Sequence, residues 1–249
     1  MLEITFSDTK EFVNVIEALT LLDEANFFVS EQGLELRAMD PARVAMIDLQ
    51  IPTNYFFVFD YDQGPFRLGV IINEFKQLLK RGNASDELSF NLIDDYKLQL
   101  IFKGQLSREF HCSLIDLGES QYPTPKIIDH ASVTITTEIF DKIIKDAELI
   151  GDHLILEASE KNNCFIITSS SESKDFKTTI HKDDDFVANF KIKEASRSCY
   201  NLCYLKEFVQ QKLGPLVKLS FSTAGVIVVE YQLTSAGKLT YFLSPRTEG

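Results

Sequence analysis

A plan of two helices followed by a strand occurs twice in this chain, and the repeat is the strongest constraint on its fold. Apolar residues at positions i, i+3, i+4 and i+7 line one face of a helix and predict the first helix of each copy. They are Phe12, Val15, Ile16 and Leu19 in the first copy, and Phe140, Ile143, Ile144 and Ala147 in the second. Shorter stripes predict the second helices, with Phe75, Leu78 and Leu79 matched by Leu205, Phe208 and Val209. A duplicated unit joined head to tail predicts a function that depends on pseudo-symmetric shape.

Strands predicted by alternation of apolar and polar residues accompany the helices in both copies. They run through Leu2–Phe6, Leu34–Ala38, Leu88–Leu92 and Phe110–Leu114, and then through Val133–Ile135, Lys174–Ile180, Val217–Phe221 and Leu239–Leu243. The helical stripes are narrow and need one partner surface, so the helices should cover one face of a sheet. The predicted fold class is α+β, with two duplicated antiparallel-sheet domains that carry two helices each.

A stretch without periodicity joins the two copies. Between Leu117 and Ile128 the chain contains Gly118, Pro123 and Pro125, which is typical of a linker. The predicted domains are therefore 1–116 and 129–249, with a connector at 117–128. The strands at 109–114 and 174–180 are candidates for pairing between subunits, because an unpaired sheet edge accepts a strand of another chain. Head-to-tail contacts of this kind form rings or filaments.

Composition and charge place the chain in a broad class. Hydrophobic residues make up 45% and charged residues 25%, which is typical of a soluble globular protein. The N-terminus lacks the features of a signal peptide, and no apolar run approaches the roughly 20 residues that span a bilayer. The cytoplasm, or the nucleus in a eukaryote, is the expected location. A net charge of −12 argues against general adhesion to nucleic acid but leaves room for a local basic strip.

No pattern of residues predicts catalysis, a metal or a cofactor. The four histidines are scattered, and neither nucleotide-binding glycine loops nor nucleophile elbows occur. The three consecutive aspartates at 183–185 fit a solvated turn better than a metal cluster, because neighbouring side chains in a loop point in different directions. The four cysteines, at 112, 164, 199 and 203, are expected to be small core or surface residues.

Three segments resemble one family, the DNA sliding clamps of the proliferating cell nuclear antigen type. They are LRAMDPARVAMIDL at Leu36–Leu49, IGD at Ile150–Asp152, and the ending at Val228–Arg246. The Asp-Pro turn and the length are most similar to an archaeal member. The resemblance implies a DNA polymerase processivity factor without enzymatic activity. Its subunits would form a trimeric ring that is lined by helices and encircles double-stranded DNA without reading the sequence.

The resemblance also implies three groups of site residues. The expected partner-binding groove comprises Met39, Arg43, Val44, Leu117, Tyr122, Pro123, Ile127, Val226, Phe242, Leu243, Ser244 and Pro245, where Val226 replaces a proline common in the family. The expected DNA-facing residues are Lys10, Lys76, Lys80, Arg81, Lys142, Lys145, Lys206 and Lys212. The expected subunit interface comprises Arg81, Arg108, Glu109, Phe110, Cys112, Leu114, Glu138, Lys174, Phe176, Thr178 and Ile180.

The same resemblance implies partners. They are further copies of the chain, a clamp loader, and DNA polymerase, flap endonuclease and DNA ligase, which present short peptides with a glutamine, an aliphatic residue and aromatic residues. The groove could equally be core at Phe242 and Leu243 if only the residues are considered. The alternative function is a specialised or regulatory clamp paralogue that acts as one subunit of a heterotrimeric ring. The oligomeric state of the chain alone would separate the two functions.

Overall fold

The computed structural model describes residues 2–61, 65–118, 122–123, 125, 127–211 and 213–247. The chain divides into two compact units. Unit 1 comprises Met1–Pro41, Ile47–Tyr122 and Leu233–Leu239, and unit 2 comprises Ala42–Met46, Pro123–Gln232 and Thr240–Gly249. The domain limits expected from the sequence stay a prediction.

The described residues of unit 1 form two α-helices, one short 3-10 helix and nine strands. The helices are α1 (Thr9–Glu17) and α2 (Ile72–Leu79), and the 3-10 helix covers Thr53–Tyr55. The strands are β1 (Leu2–Phe6), β2 (Glu24–Ser30), β3 (Gly33–Met39), β4 (Ala45–Pro52, of which residues 47–52 belong to unit 1), β5 (Phe56–Tyr61), β6 (Phe66–Ile71), β7 (Glu87–Asp94), β8 (Lys97–Lys103) and β9 (Arg108–Ser113). One sheet has the order β5-β1-β7-β8-β9 with antiparallel neighbours, and β4-β3-β2-β6 follow one another in a second sheet.

Unit 2 repeats this plan. Its helices are α3 (Thr137–Glu148) and α4 (Leu202–Val209). Its strands are β10 (Ala131–Thr136), β11 (His153–Ser159), β12 (Cys164–Ser170), β13 (Asp175–His181), β14 (Val187–Ile192), β15 (Ser196–Asn201), β16 (Leu216–Phe221), β17 (Ile227–Gln232) and β18 (Lys238–Leu243, of which residues 240–243 belong to unit 2). One sheet has the order β13-β12-β11-β15, and β14-β10-β16-β17-β18 are neighbours in the other.

Aromatic residues fill the core of each unit. In unit 1, the Phe12 ring on α1 packs against Phe6 at a centroid distance of 4.0 Å and against Phe90 at 5.8 Å. In unit 2, Phe208 on α4 stacks on Tyr241 at 4.3 Å. These rings are at most 3% exposed, so the helices are held mainly by burial of their apolar faces rather than by intrinsic helix stability.

The structure confirms the predicted helices and strands, the α+β class and the antiparallel pairing. Three ends differ: Leu114 lies just after β9, Lys174 lies just before β13, and Leu19, the fourth residue of the first stripe, lies beyond the end of α1 at Glu17. The chain turns there because the N–H of Leu19 donates to the carbonyl of Ile16, yet the Leu19 side chain is still completely buried. The expected aspartate turn is also found, where the N–H of His181 donates to Asp184.

The beginning of the connector lies against unit 1. The N–H of Ile115 donates to the carbonyl of Gly69, and the Asn26 side chain donates to the carbonyl of Gly118. The described connector residues contain no helix or strand, as the prolines predict. Among the described residues, no helix is long and apolar enough to cross a membrane.

Candidate functional site

The basic residues expected to face DNA are distributed over all four helices. Lys10 lies on α1, Lys76 on α2, Lys142 and Lys145 on α3, and Lys206 on α4, while Lys80 and Arg81 follow the end of α2. All of these side chains are exposed except Lys76, which is half-buried. Lys212 lies outside the described residues. Each unit therefore presents several cations on its helical surface.

Three of these lysines are bound to carboxylates. Lys80 Nζ lies 2.9 Å from Glu17 Oε1, and Lys145 Nζ lies 2.8 Å from Asp141 Oδ2. Lys206 is paired with Glu148, and the hydrogen bond that its ammonium donates to this carboxylate raises the pKa of Lys206. The sequence analysis did not identify these acids as partners of the lysines, although the i, i+4 spacing of Asp141 and Lys145 is a signal for such a pair.

Glu11, another acid on the helices, binds the backbone of a turn. Its carboxylate accepts the backbone N–H groups of Thr234 and Ser235, and the Ser235 bond is 3.2 Å long. All three residues belong to unit 1. Glu11 therefore anchors a turn of its own unit and does not pair with a lysine of the candidate DNA-facing set in these contacts.

The groove residues that belong to unit 2 surround the C-terminal tail. The N–H of Ser244 donates to the carbonyl of Val44 at 3.0 Å, so the tail is fixed beside the signature turn. Val44, Val226, Pro245 and Ile127 are half-buried, and Arg43, Pro123 and Ser244 are exposed. These seven residues are accessible to a partner.

Phe242 and Leu243 are placed differently from the prediction. Leu243 is completely buried, and Phe242 is 8% exposed. Leu243 therefore cannot line an open groove, because no part of its side chain reaches the surface. Its role is to support the surface from below, and the core alternative is correct for this residue.

A charged cluster holds the last part of the tail. The Arg246 guanidinium donates to Asp152 Oδ2 at 2.7 Å, and its backbone N–H donates to the carbonyl of Cys199, also at 2.7 Å. The His153 ring nitrogen Nδ1 lies 2.9 Å from the other Asp152 oxygen. The hydrogen bond from Arg246, and then the one with His153, lower the pKa of Asp152 to about 2. The aspartate of the IGD segment thus has a structural function that its sequence did not reveal.

The remaining groove residues belong to unit 1. Met39 ends β3 and is half-buried, as are Leu117 and Tyr122. The carbonyl of Tyr122 accepts a long hydrogen bond of 3.5 Å from Arg37, whose guanidinium also forms an ion pair with the buried Asp48. Tyr122, Arg37 and Asp48 border a cavity of about 430 Å³ that sequence reasoning missed, and Met39 and Leu117 are not among its lining residues. Arg37 and Asp48 in its wall are paired with each other, so the cavity does not indicate a particular ligand.

The strands expected at the subunit interface are edge strands. β9 is the last strand of its sheet in unit 1, and β13 is the last strand of its sheet in unit 2. Cys112, Leu114 and Ile180 are at most 7% exposed and face the interior, whereas Glu109 and Lys174 are exposed and Phe110, Phe176 and Thr178 are half-buried. The three buried residues cannot contribute side-chain surface to a neighbour. What remains available is mainly the backbone edge of both strands.

Arg108 is already occupied within unit 1. Its guanidinium forms an ion pair with the buried Asp86 and donates to the backbone carbonyl of Arg81. The backbone and side-chain hydrogen bonds of Asn83, together with Arg108, lower the pKa of the Asp86 carboxyl. An ion pair between Arg108 and an acid of a neighbouring subunit, such as Glu138, would have to replace these bonds. Arg81 and Glu138 are exposed.

Chemical sites are not apparent in the described part of the chain. No group of three or more histidines, cysteines or acids is arranged there to hold a metal ion. All four cysteines are free; three are buried and Cys203 is exposed.

Two family models together match nearly the whole chain. Residues 1–121 match the N-terminal domain of proliferating cell nuclear antigen, and residues 125–246 match its C-terminal domain. Two domains of antiparallel sheet with paired helices define a clamp-type fold, and this chain belongs to the proliferating cell nuclear antigen family.

Relatives and a solved structure agree with this assignment. The chain is 34% identical to a DNA polymerase sliding clamp of Thermococcus gammatolerans, with 99% of this chain and 98% of the relative covered. It is 31% identical to DNA polymerase sliding clamp 1 of Pyrobaculum aerophilum, with 98% of both chains covered. The crystal structure of PCNA from Thermococcus kodakaraensis superposes with a TM-score of 0.93 over 99% of this chain and 100% of that chain, at 22% identity. The last comparison establishes the fold alone.

Proposed function

We propose that the protein is a DNA polymerase sliding clamp, a ring of three identical subunits that encircles double-stranded DNA without reading its sequence. The observation that carries this proposal is the presence of exposed lysines on the helices of both units. A ring needs only weak contacts with DNA, because topological linkage rather than affinity keeps it in place. A few cations on an acidic protein suit this purpose, since phosphate contacts set the strength of sequence-independent binding.

Ring assembly is supported by the two edge strands. β9 and β13 each offer unsatisfied backbone groups, and their pairing between neighbouring subunits would extend both sheets in a head-to-tail contact. Exposed ion pairs that involve Arg81 or Glu138 would add about 0–1 kcal/mol each, so the backbone pairing would dominate. The clamp itself would catalyse no reaction. A clamp loader would open the ring, and tethered enzymes would supply the chemistry in the nucleoid or nucleus.

Partner enzymes would bind the surface of unit 2 around Val44, Ser244 and Pro245. A DNA polymerase, flap endonuclease or ligase would place the aromatic residues of a short peptide on this partly apolar surface. The tail supports the surface because its backbone is fixed before binding, which lowers the entropic cost of association. The unit 1 residues Met39, Leu117 and Tyr122 stay predicted members of the groove.

Retention on circular DNA tests the clamp function. The variant Lys10→Glu/Lys142→Glu reverses one exposed lysine on the first helix of each unit, and we expect faster loss of loaded rings from circular DNA. The control Lys161→Glu/Lys182→Glu makes the same charge change on exposed turns outside the helices and should behave as wild type. Light scattering should give a trimer for all three proteins. Equal retention of both variants would show that the helices do not face DNA, and a monomer that assembles only with other clamp chains would favour the heterotrimeric alternative.

Peptide binding tests the partner surface. Val44→Ala/Pro245→Ala should weaken a Gln-aliphatic-aromatic peptide about tenfold or more, as expected for apolar contacts at the centre of an interface. Val228→Ala, at a half-buried position on β17, is the matched control. Unchanged affinity of the double variant, measured by calorimetry on intact trimers, would contradict the assignment.

A further inference from the structure

The first helix of each unit ends on a glutamate that binds a lysine of the second helix. Glu17 is the final residue of α1 and pairs with Lys80 after α2. Glu148 is the final residue of α3 and pairs with Lys206 on α4. Both pairs lie within a single unit and use a lysine of the candidate DNA-facing set. A terminal glutamate of the first helix therefore pairs with a lysine at or just after the second helix in both units, although the two lysines occupy different positions of the repeat, in which Lys206 matches Lys76.

Stability alone does not explain this placement. A carboxylate in the last turn of a helix meets the negative end of the helix dipole, which is unfavourable. An exposed ion pair contributes little to folding stability, because solvent screens the two charges. The lysines are 56% and 47% exposed, so the net contribution of each pair to folding is close to zero. Glutamine would avoid the dipole penalty, which leaves the charge of the glutamates without a structural purpose.

The third pair has an ordinary explanation. Asp141 and Lys145 lie on the same helix at the i, i+4 spacing, with the acid nearer the N-terminus. This arrangement stabilises a helix by itself. The two pairs between helices have no such local benefit.

The consequence of the two inter-helix pairs concerns the ammonium groups. Each glutamate occupies a donor of a lysine that would otherwise be free to bind a phosphate. DNA can contact that lysine fully only if a phosphate oxygen displaces the carboxylate. A ring that slides needs contacts that break easily, because every phosphate contact adds affinity and friction.

We propose that Glu17 and Glu148 compete with DNA phosphates for Lys80 and Lys206 and thereby keep the clamp's grip on DNA weak. This inference rests on the proposed function, because it requires that the helices face the duplex. It assigns a role to two acids: they limit binding rather than promote it. Lys10 and Lys142, for which no ion pair is found within the described residues, would make the constant contacts.

Removal of the two carboxylates tests the competition. Glu17→Gln/Glu148→Gln should bind a short DNA duplex about three- to tenfold more tightly, with a logarithmic salt dependence that is steeper by about one or two phosphate contacts. The rings should also diffuse more slowly along DNA in single-molecule tracking. Trimeric state and thermal unfolding temperature, measured alongside, should stay close to wild type.

A matched control separates competition from net charge. Glu74→Gln/Asp146→Asn removes the same charge from α2 and α3, and neither carboxylate has a lysine partner among the described ion pairs. This control should raise affinity by less than twofold. Equal effects of both double variants would overturn the proposal, because the gain would then reflect net charge alone.

The lysines themselves distinguish the proposal from the function on which it rests. Lys80→Glu/Lys206→Glu should weaken duplex binding. If this variant weakens binding but removal of the glutamates changes nothing, the competition is refuted and the clamp function stands. If neither these lysines nor Lys10 and Lys142 affect DNA binding, the assignment of the helices to DNA is wrong, and both proposals fail.

Discussion

The two helix pairs follow one plan but arrive at the same terminal ion pair by different routes. α1 has nine residues and α3 has twelve, while α2 and α4 have eight each. When Phe12 is matched with Phe140, the residue that corresponds to Glu17 is Lys145, not Glu148. Glu148 is therefore not the counterpart of Glu17 in the sequence repeat. The two glutamates share only their place at the end of the first helix. The pair is defined by geometry, because Glu17 and Glu148 share a place at the end of the first helix and each lies beside a lysine at or just after the second helix.

The units also differ in what their acids hold in place. In unit 1, Glu11 binds the backbone of Thr234 and Ser235. The matched position in unit 2 is Ile139, which cannot accept a hydrogen bond. Unit 2 instead uses Asp152 to hold the tail through Arg246. The two units thus use an acid for different purposes: Glu11 holds the turn at Thr234 and Ser235, and Asp152 holds the C-terminal tail.

The largest difference is expected for the matched core phenylalanines. Phe12→Ala and Phe140→Ala each remove a ring that is 1% exposed, and each should lower the free energy of unfolding by about 3–5 kcal/mol. Phe12→Ala should cost about 0.5–1.5 kcal/mol more, because Phe12 contacts the Phe6 and Phe90 rings while no aromatic partner is found for Phe140 in the described part of the chain. Chemical denaturation measures both. Equal losses would show that the aromatic cluster adds nothing beyond burial.

A smaller effect is expected at Glu11. Glu11→Ala removes an acceptor for two backbone N–H groups and should cost about 1 kcal/mol, with faster hydrogen exchange at Thr234 and Ser235. Glu11→Gln keeps one side-chain oxygen and should retain part of the protection. Ile139→Ala tests the matched position and should leave those two amides unchanged. Unaltered exchange in Glu11→Ala would show that the turn is held by other contacts.

The smallest effect is a pH dependence of the tail. The pKa of Asp152 is lowered to about 2 in the folded protein, so its bond to Arg246 is fully present above the ordinary carboxyl pKa near 4 and is lost as the pH falls towards 2. The amide resonance of Thr247 should shift over this range. Asp152→Asn should abolish the shift. A transition centred above pH 4 would contradict the assignment, because it would require a different titrating group.

Most of the fold could be predicted because burial is periodic. The stripes on α1 and α3 and the alternation in β1, β7 and β16 record which side of each element faces the core, and this information is local in sequence. The end of α1 could not be predicted in the same way. Leu19 continues the stripe, yet the chain leaves the helix first and still buries the residue in a turn.

The candidate site was less predictable. Local motifs indicated the signature turn, the IGD segment and the tail, but they did not reveal that Arg246 binds Asp152 or that Leu243 is completely buried. Side-chain exposure in the last strand depends on what covers it, and the covering residues are distant in sequence. The same holds for Cys112 and Ile180, whose strands were expected at an interface although their side chains face inward.

The sequence by itself determined the repeat, the α+β class, the edge strands and the family, because each depends on residue patterns within short segments. Only the tertiary structure decided how the charges are used. Glu17 and Lys80 are far apart along the chain, as are Glu148 and Lys206, and a charge on an exposed helix has no preferred partner until two helices are packed together. Whether a lysine forms an ion pair depends on its distance from a carboxylate. The fold sets that distance when the two residues are remote in sequence.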